Sequence, residues 1–128
     1  MVKILVVDDE PDVVFLVRRI LERNGYEVLE GYSGKECLQT ALNEVPDLVM
    51  LDVMMPDIDG WEISRVLKSN KVTGEIPVVM YSVRACPGSA NKSLTYSGAD
   101  AHIGKPASSE EILSTVAANL RPPRRLTC

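Results

Sequence analysis

Apolar residues fall along this chain in short unbroken runs, separated by longer stretches in which they recur every three or four positions. The run over residues 2–7, interrupted only by Lys3, suits a strand buried on both faces of a sheet. Residues 47–51 and 77–81 repeat that pattern and predict further strands, and residues 26–30 and 100–104 read as two more. Between them the helical period takes over. The first helix opens at Pro11, with Asp12 supplying charge of the sign a helix start favours, and runs to about Asn24 with Val14, Val17, Ile20 and Leu21 facing in. Ser33-Gly34-Lys35-Glu36 and Ser108-Ser109-Glu110-Glu111 have the spacing of a capping box, in which serine and glutamate each satisfy an unpaired amide. They predict helices over residues 34–43 and from the second box to about Leu120, where Pro122 and Pro123 follow. Residues 61–69 predict a helix with Ile63, Val66 and Leu67 inward. Residues 87–97 complete the alternation, although Ser89, Asn91, Ser93, Thr95 and Ser97 are weak helix formers.

Five strands alternating with five helices, through connections too long for hairpins, predict an α/β fold: a parallel sheet covered on both faces. Residues 1–120 read as one domain, and residues 121–128, basic and proline-bearing, as a tail or linker stub. A length of 128 residues fits a single domain with a substantial core. The net charge of −4 disfavours nonspecific binding to nucleic acid or an anionic membrane. No apolar run approaches a spanning helix and the start lacks a signal-peptide pattern, so a cytoplasmic location is expected. Cys37, Cys86 and Cys128 share no metal-binding or thiol-exchange spacing and read as free thiols.

The chemistry gathers where strands end. The apolar stretch Leu48-Val49-Met50-Leu51 delivers Asp52 to a turn-rich loop, and the first strand ends in Asp8-Asp9. In an open parallel sheet that edge is where ligands bind, so neighbouring strands would bring three carboxylates together. Three anions in one pocket are strongly unfavourable without a cation, which points to a hard divalent metal such as Mg2+. Ser82 and Lys105 end two other strands at the same edge. With Lys105 and the metal neutralising a phosphoryl group, and the Ser82 hydroxyl and the following Val83 amide donating to its oxygens, Asp52 is placed to attack phosphorus and become an aspartyl phosphate.

These residues resemble the receiver domains of two-component response regulators. The resemblance rests on Asp8-Asp9-Glu10-Pro11, on Asp52 with Met55-Pro56-Asp57-Ile58-Asp59-Gly60, on the strand ending in Tyr81-Ser82, and on Gly98-Ala99-Asp100 leading into Lys105-Pro106. It implies a flavodoxin-like, doubly wound (βα)5 fold with strand order 2-1-3-4-5. It implies Asp52 as phosphoacceptor, Asp8, Asp9, Asp52 and the Met54 main-chain carbonyl as Mg2+ ligands, and Ser82 and Lys105 as the phosphate-sensing pair. The donor it implies is a sensor histidine kinase or histidine phosphotransfer protein.

A cis bond before Pro106 is implied as well, and so is a switch in which Ser82 moves inward and the residue at the aromatic position, here His102, follows. The surface of the fourth helix, fifth strand and fifth helix would then change and control a downstream protein or effector domain. A phosphorylation-dependent homodimer would use the same face. The reading is of a signalling domain that assists its own phosphotransfer and dephosphorylation, not an enzyme acting on other substrates. Val83 and Ala107 stand where the family commonly has alanine and phenylalanine. Met54 cannot position an attacking water, so a long-lived phosphoryl group is expected, which a Met54→Asn exchange would shorten.

Rival chemistries lack their residues. A phosphatase of the haloacid dehalogenase type carries a second acid two residues after its nucleophile, where Met54 stands here. An acidic Asp8-Asp9-Glu10 loop would repel a flavin phosphate, and no G-x-x-x-x-G-K-[ST] loop is present to cradle a nucleotide. A receiver-like interaction module that is never phosphorylated is the remaining alternative. Asp57 and Asp59 read as turn-forming residues ahead of Gly60. Trp61 reads as packing or surface at the start of the third helix.

Overall fold

The computed structural model describes residues 2–53, 55, 57–82, 98–105 and 107–120, with Ser82 through its backbone. Met54, Val83, Pro106, residues 87–97 and residues 121–128 lie outside them, and with them the metal-ligand carbonyl, the Val83 phosphate contact, the cis bond, the fourth expected helix and the tail. The strands are β1 (Lys3–Val7), β2 (Glu27–Gly31), β3 (Leu48–Leu51), β4 (Val78–Ser82) and β5 (Ala101–Gly104). The helices described are α1 (Pro11–Arg23), α2 (Gly34–Glu44), α3 (Gly60–Ser69) and α4 (Ser109–Asn119).

The strands form one parallel sheet in the order β2-β1-β3-β4-β5. Side chains alternate across a strand, and the alternation divides the core in two. Leu5, Val7, Val49, Leu51, Val78 and Met80 face one side, where α2 and α3 contribute Cys37, Ala41, Ile63 and Leu67. Ile4, Val6, Leu48, Met50, Val79 and Tyr81 face the other, beneath Val14, Val17 and Leu21 of α1 and Ile112 and Val116 of α4. Each side chain of this size taken fully out of water contributes about 1.5–3 kcal/mol, so both apolar faces need their helices. Burial also pushes the Cys37 thiol up to about 12, which leaves it protonated and inert.

Helix starts follow the local chemistry. Ser33 Oγ accepts from the Glu36 amide at 3.2 Å, as the first capping box predicts, while Glu36 Oε1 reaches back one residue beyond the N-cap and accepts from the Tyr32 amide at 3.1 Å. At the second, Ser108 Oγ accepts from the Glu111 amide at 3.1 Å. Asp59 caps α3 through the Glu62 amide at 2.9 Å, a more specific task than forming a turn.

The rotation of α3 differs from expectation. Val66 is 38% exposed, whereas Ser64 is fully buried beside Ile63 and Leu67. Gly60 sets this rotation: a Cβ there would run into the Asp52 carbonyl and stand 2.8 Å from Val53 Cα, so only glycine lets the helix start so close to β3. The inward face then passes through positions 60, 63, 64 and 67 instead of 66.

Candidate functional site

The strand order reverses direction about β1: the chain crosses from β1 to β2 on one side and then to β3 on the other. That leaves a crevice beyond the C-terminal ends of β1 and β3, the position where open α/β sheets bind ligands. Val7 and Leu51 are register partners as the last residues of the two strands, and the Asp52 amide donates to the Val7 carbonyl at 3.0 Å. Asp8 and Asp52 therefore leave the sheet side by side.

Asp8 and Asp52 are both buried, while Asp9 is exposed at the rim. One carboxylate oxygen from each of the three lies within 4.8 Å of the others. Lys105 enters from β5: its Nζ is 2.5 Å from Asp8 Oδ2 and 3.8 Å from Asp52 Oδ1. The lysine reaches this position because β4 and β5 pair Ser82 with Gly104, so Lys105 begins where the sheet stops. Its ammonium also lies 5.2 Å from the centroid of the Tyr81 ring, whose face favours a cation. The other Asp8 oxygen accepts from the Glu10 amide at 2.9 Å, which orients the carboxylate and starts the turn into α1.

Of the residues singled out in the sequence, the fold brings Asp8, Asp9, Asp52 and Lys105 to one point. The backbone of Ser82 lies at the same edge. His102 lies apart from them, on the sheet face that carries α3, opposite Met80 in the β4 register. Its ring is tilted 31° against Trp61 at a centroid distance of 6.4 Å. Its Nε2 is buried and has no hydrogen-bond partner among the described residues, and burial holds its pKa below the ordinary value, favouring the neutral ring. Trp61 is correspondingly core rather than surface, being 7% exposed.

Hard oxygen donors in this number suit a divalent cation such as Mg2+, which takes few protein ligands and keeps several waters. The observation that supports the fit is the convergence of three carboxylate oxygens on one point, with the Lys105 ammonium paired to two of the carboxylates, Asp8 and Asp52. Tyr81 was missed in the sequence because a buried strand aromatic carries no signal of what lies over its ring. Asp57 was read as a turn former, yet its two oxygens accept from the Gly34 and Lys35 amides at 2.9 and 3.0 Å, across the gap to α2.

Comparison with known proteins gives a consistent result. The family model for the response regulator receiver domain matches residues 4–117. Over 119 residues the chain is 41% identical to the alkaline phosphatase synthesis transcriptional regulatory protein PhoP of Bacillus subtilis, covering 93% of this chain and 48% of that protein. Over 121 residues it is 37% identical to the response regulator ArlR of Staphylococcus saprophyticus, covering 94% of this chain and 53% of that one. The chain thus spans about half the length of these curated relatives. Among solved structures, the chemotaxis response regulator CheY4 of Vibrio cholerae superposes with a TM-score of 0.88 at 28% identity, over 94% of this chain and 99% of that one. The BeF3-activated DrrB receiver domain gives a TM-score of 0.83 at 32% identity, over 92% and 96% of the two chains.

Proposed function

The chain belongs to the response regulator receiver domain family, and on that premise we propose that Asp52 accepts a phosphoryl group from a histidine kinase or a histidine phosphotransfer protein. The observation that carries this reading is the convergence of Asp8, Asp9, Asp52 and Lys105 at the β1/β3 crevice. A carboxylate oxygen of Asp52 attacks phosphorus, the bond from phosphorus to the donor imidazole breaks, and an acyl phosphate results. Asp8, Asp9, Asp52 and the Met54 carbonyl would hold Mg2+, which would neutralise charge on the phosphoryl oxygens.

The chain's own groups do the rest. Lys105, already between Asp8 and Asp52, exchanges a carboxylate partner for a phosphoryl oxygen. Ser82 and the Val83 amide donate to the remaining oxygens. Ser82 and His102 then act as the switch: Ser82 moves inward, the His102 ring follows it from its place against Trp61, and the surface around β5 and the helix that follows it changes. Dephosphorylation returns the carboxylate when water attacks phosphorus, and Met54 leaves that step slow. The output is a downstream protein or an attached effector domain, in keeping with relatives about twice as long, with residues 121–128 as the linker toward it. A phosphorylation-dependent homodimer over the same surface is part of the reading. No helix of the described residues is long and apolar enough to cross a membrane.

Intact mass after incubation with acetyl phosphate tests the proposal. The wild type should gain one phosphoryl group, ~80 Da, only with Mg2+ present, and Asp52→Asn should gain none. An adduct that survives in Asp52→Asn would move the phosphoacceptor to another residue, and no adduct in the wild type under short, cold incubation would leave the phosphorylation-independent module as the better account.

A further inference from the structure

Asp52 leads into a loop that must stay beside Asp8 and Asp9, although the three carboxylates repel one another. Among the described residues two ties hold that loop. The Gly60 amide donates to the Val53 carbonyl at 2.8 Å and closes the loop on itself. At its middle, Asp57 Oδ1 accepts from the Gly34 amide at 2.9 Å and Oδ2 from the Lys35 amide at 3.0 Å. These amides open α2, where a helix has no carbonyl of its own to offer them. The same two amides hold the Asp57 carboxyl below the usual carboxylate range, so it stays charged and keeps both bonds.

The start of α2 is itself attached to the carboxylate cluster. β2 ends at Gly31, whose carbonyl accepts from the Asp8 amide at 3.1 Å. Gly31 is the register partner of Val7, and the Val7 carbonyl accepts from the Asp52 amide at 3.0 Å. The hydrogen bonds thus close a ring from Asp52 through its loop to Asp57, across to α2, back along the chain to Gly31, and so to Asp8 and Asp52. The approach is tight: a Cβ at Gly34 would stand 2.7 Å from Ile63 Cδ1 and 3.1 Å from Ile58 Cβ. Glycine at this position is what allows the loop to seat on the helix.

We propose that Asp57 is a positioning residue for the cation site. By tying the loop after Asp52 to the start of α2, it fixes Asp52 relative to Asp8 and Asp9 and thereby sets the affinity of the three carboxylates for a divalent cation. The inference rests on the reading that these carboxylates hold Mg2+. Ser33 provides a control within the same helix end, because its hydroxyl caps α2 through the Glu36 amide, a bond made inside the capping box and not to the loop.

The experiment is calorimetric titration of MgCl2 into the full chain as wild type, Asp57→Ala, Asp57→Asn and Ser33→Ala, with thermal melts of each in EDTA. Asp57→Ala should weaken Mg2+ binding about tenfold, the lower end of what the loss of a group supporting metal ligands costs. Asp57→Asn, which keeps an oxygen acceptor for one amide, should fall between. Ser33→Ala should lower the melting temperature and leave the Mg2+ affinity within twofold of wild type. Unchanged affinity in Asp57→Ala overturns the proposal, and so does an equal loss in Ser33→Ala, because either result detaches cation binding from this particular tie. If Asp57→Ala does not fold, Asp57→Asn against Ser33→Ala decides the same question. A wild type that neither binds Mg2+ nor forms the Mg2+-dependent adduct overturns the underlying reading instead, and this inference with it.

Discussion

Aspartates stand at both ends of the same sheet, and the two ends use them in opposite ways. At the N-terminal edge Asp47 and Asp100 each immediately precede a strand, and each clamps the first residue of the neighbouring one. The Asp47 amide donates to the Lys3 carbonyl at 2.8 Å, and the Lys3 amide returns a bond to Asp47 Oδ2 at 2.8 Å. Asp100 repeats the pattern with Val78, at 2.8 Å in both directions, and adds Lys68 Nζ at 2.7 Å. At the C-terminal edge Asp8, Asp9 and Asp52 crowd within 4.8 Å, and Lys105 reaches two of them. A carboxylate matched one-to-one with backbone amides or a cation is consumed by the fold. Carboxylates that outnumber the cation beside them among the described residues retain a capacity to bind, and the proposed phosphoryl transfer rests on that surplus.

The sharpest way to break the comparison is Asp100→Ala. The exchange leaves the buried Val78 amide without its acceptor and the mostly buried Lys68 ammonium, which also donates to the Ile76 carbonyl at 2.9 Å, without its counter-charge. A loss of about 2–3 kcal/mol in urea unfolding is expected. The acetyl phosphate adduct, measured at a temperature where the variant stays folded, should persist at the wild-type level. If the adduct disappeared from folded protein, the two edges would not be separable as structure and chemistry.

Much of this division was legible before any coordinates. Short apolar runs located β1, β3 and β4 to within a residue or two, because a strand buried on both faces has no polar side to blur its ends, and the half-buried edge strands β2 and β5 fell within a residue of their expected bounds. Asp8, Asp9, Asp52 and Lys105 were legible because each sits where such a run stops. Partnerships that cross the fold were not. Lys68 meets Asp100 through a gap of 32 positions, and Asp57 meets α2 through gaps of 22 and 23, distances at which no local spacing rule operates. The phase of α3 failed for a related reason: Val66 fits the helical period, but the close seat of Gly60 on the Asp52 carbonyl rotates the helix so that Ser64 is buried instead.

A smaller effect concerns strain at the non-reactive edge. Val45 ends α2 in the left-handed region, φ 44° and ψ 67°, and is the one non-glycine residue with positive φ among those described. That conformation costs a β-branched residue about 1–2 kcal/mol, while glycine gives back up to about 1 kcal/mol through the greater freedom of its unfolded chain. Because the Val45 side chain is 47% exposed, little burial is lost with it. Val45→Gly should therefore raise stability by about 0.5–1 kcal/mol in urea unfolding, with the adduct unchanged. A stabilised variant with impaired phosphorylation would mean that strain at this edge is coupled to the site.

The smallest effect tests the surplus of charge directly. Asp9 is exposed and its nearest carboxylate oxygen lies within 4.8 Å of those of Asp8 and Asp52, so each repulsion is close to its value in water, about 1 kcal/mol before screening by salt. Neutralising it as Asp9→Asn in EDTA should raise stability by about 0.5 kcal/mol, because the fold no longer holds a third like charge at that point. Saturating Mg2+ should reverse the ranking. A cation that binds only the folded state stabilises the wild type by an amount that grows with its affinity, about 2.7 kcal/mol at one hundred times the dissociation constant, and the variant lacks a ligand for it. Paired urea curves with EDTA and with Mg2+ measure both signs. If Asp9→Asn were the less stable protein in EDTA as well, Asp9 would belong with Asp47 and Asp100 among the carboxylates the fold consumes, and if Mg2+ stabilised both proteins equally the metal site would have to be built from Asp8 and Asp52 without it.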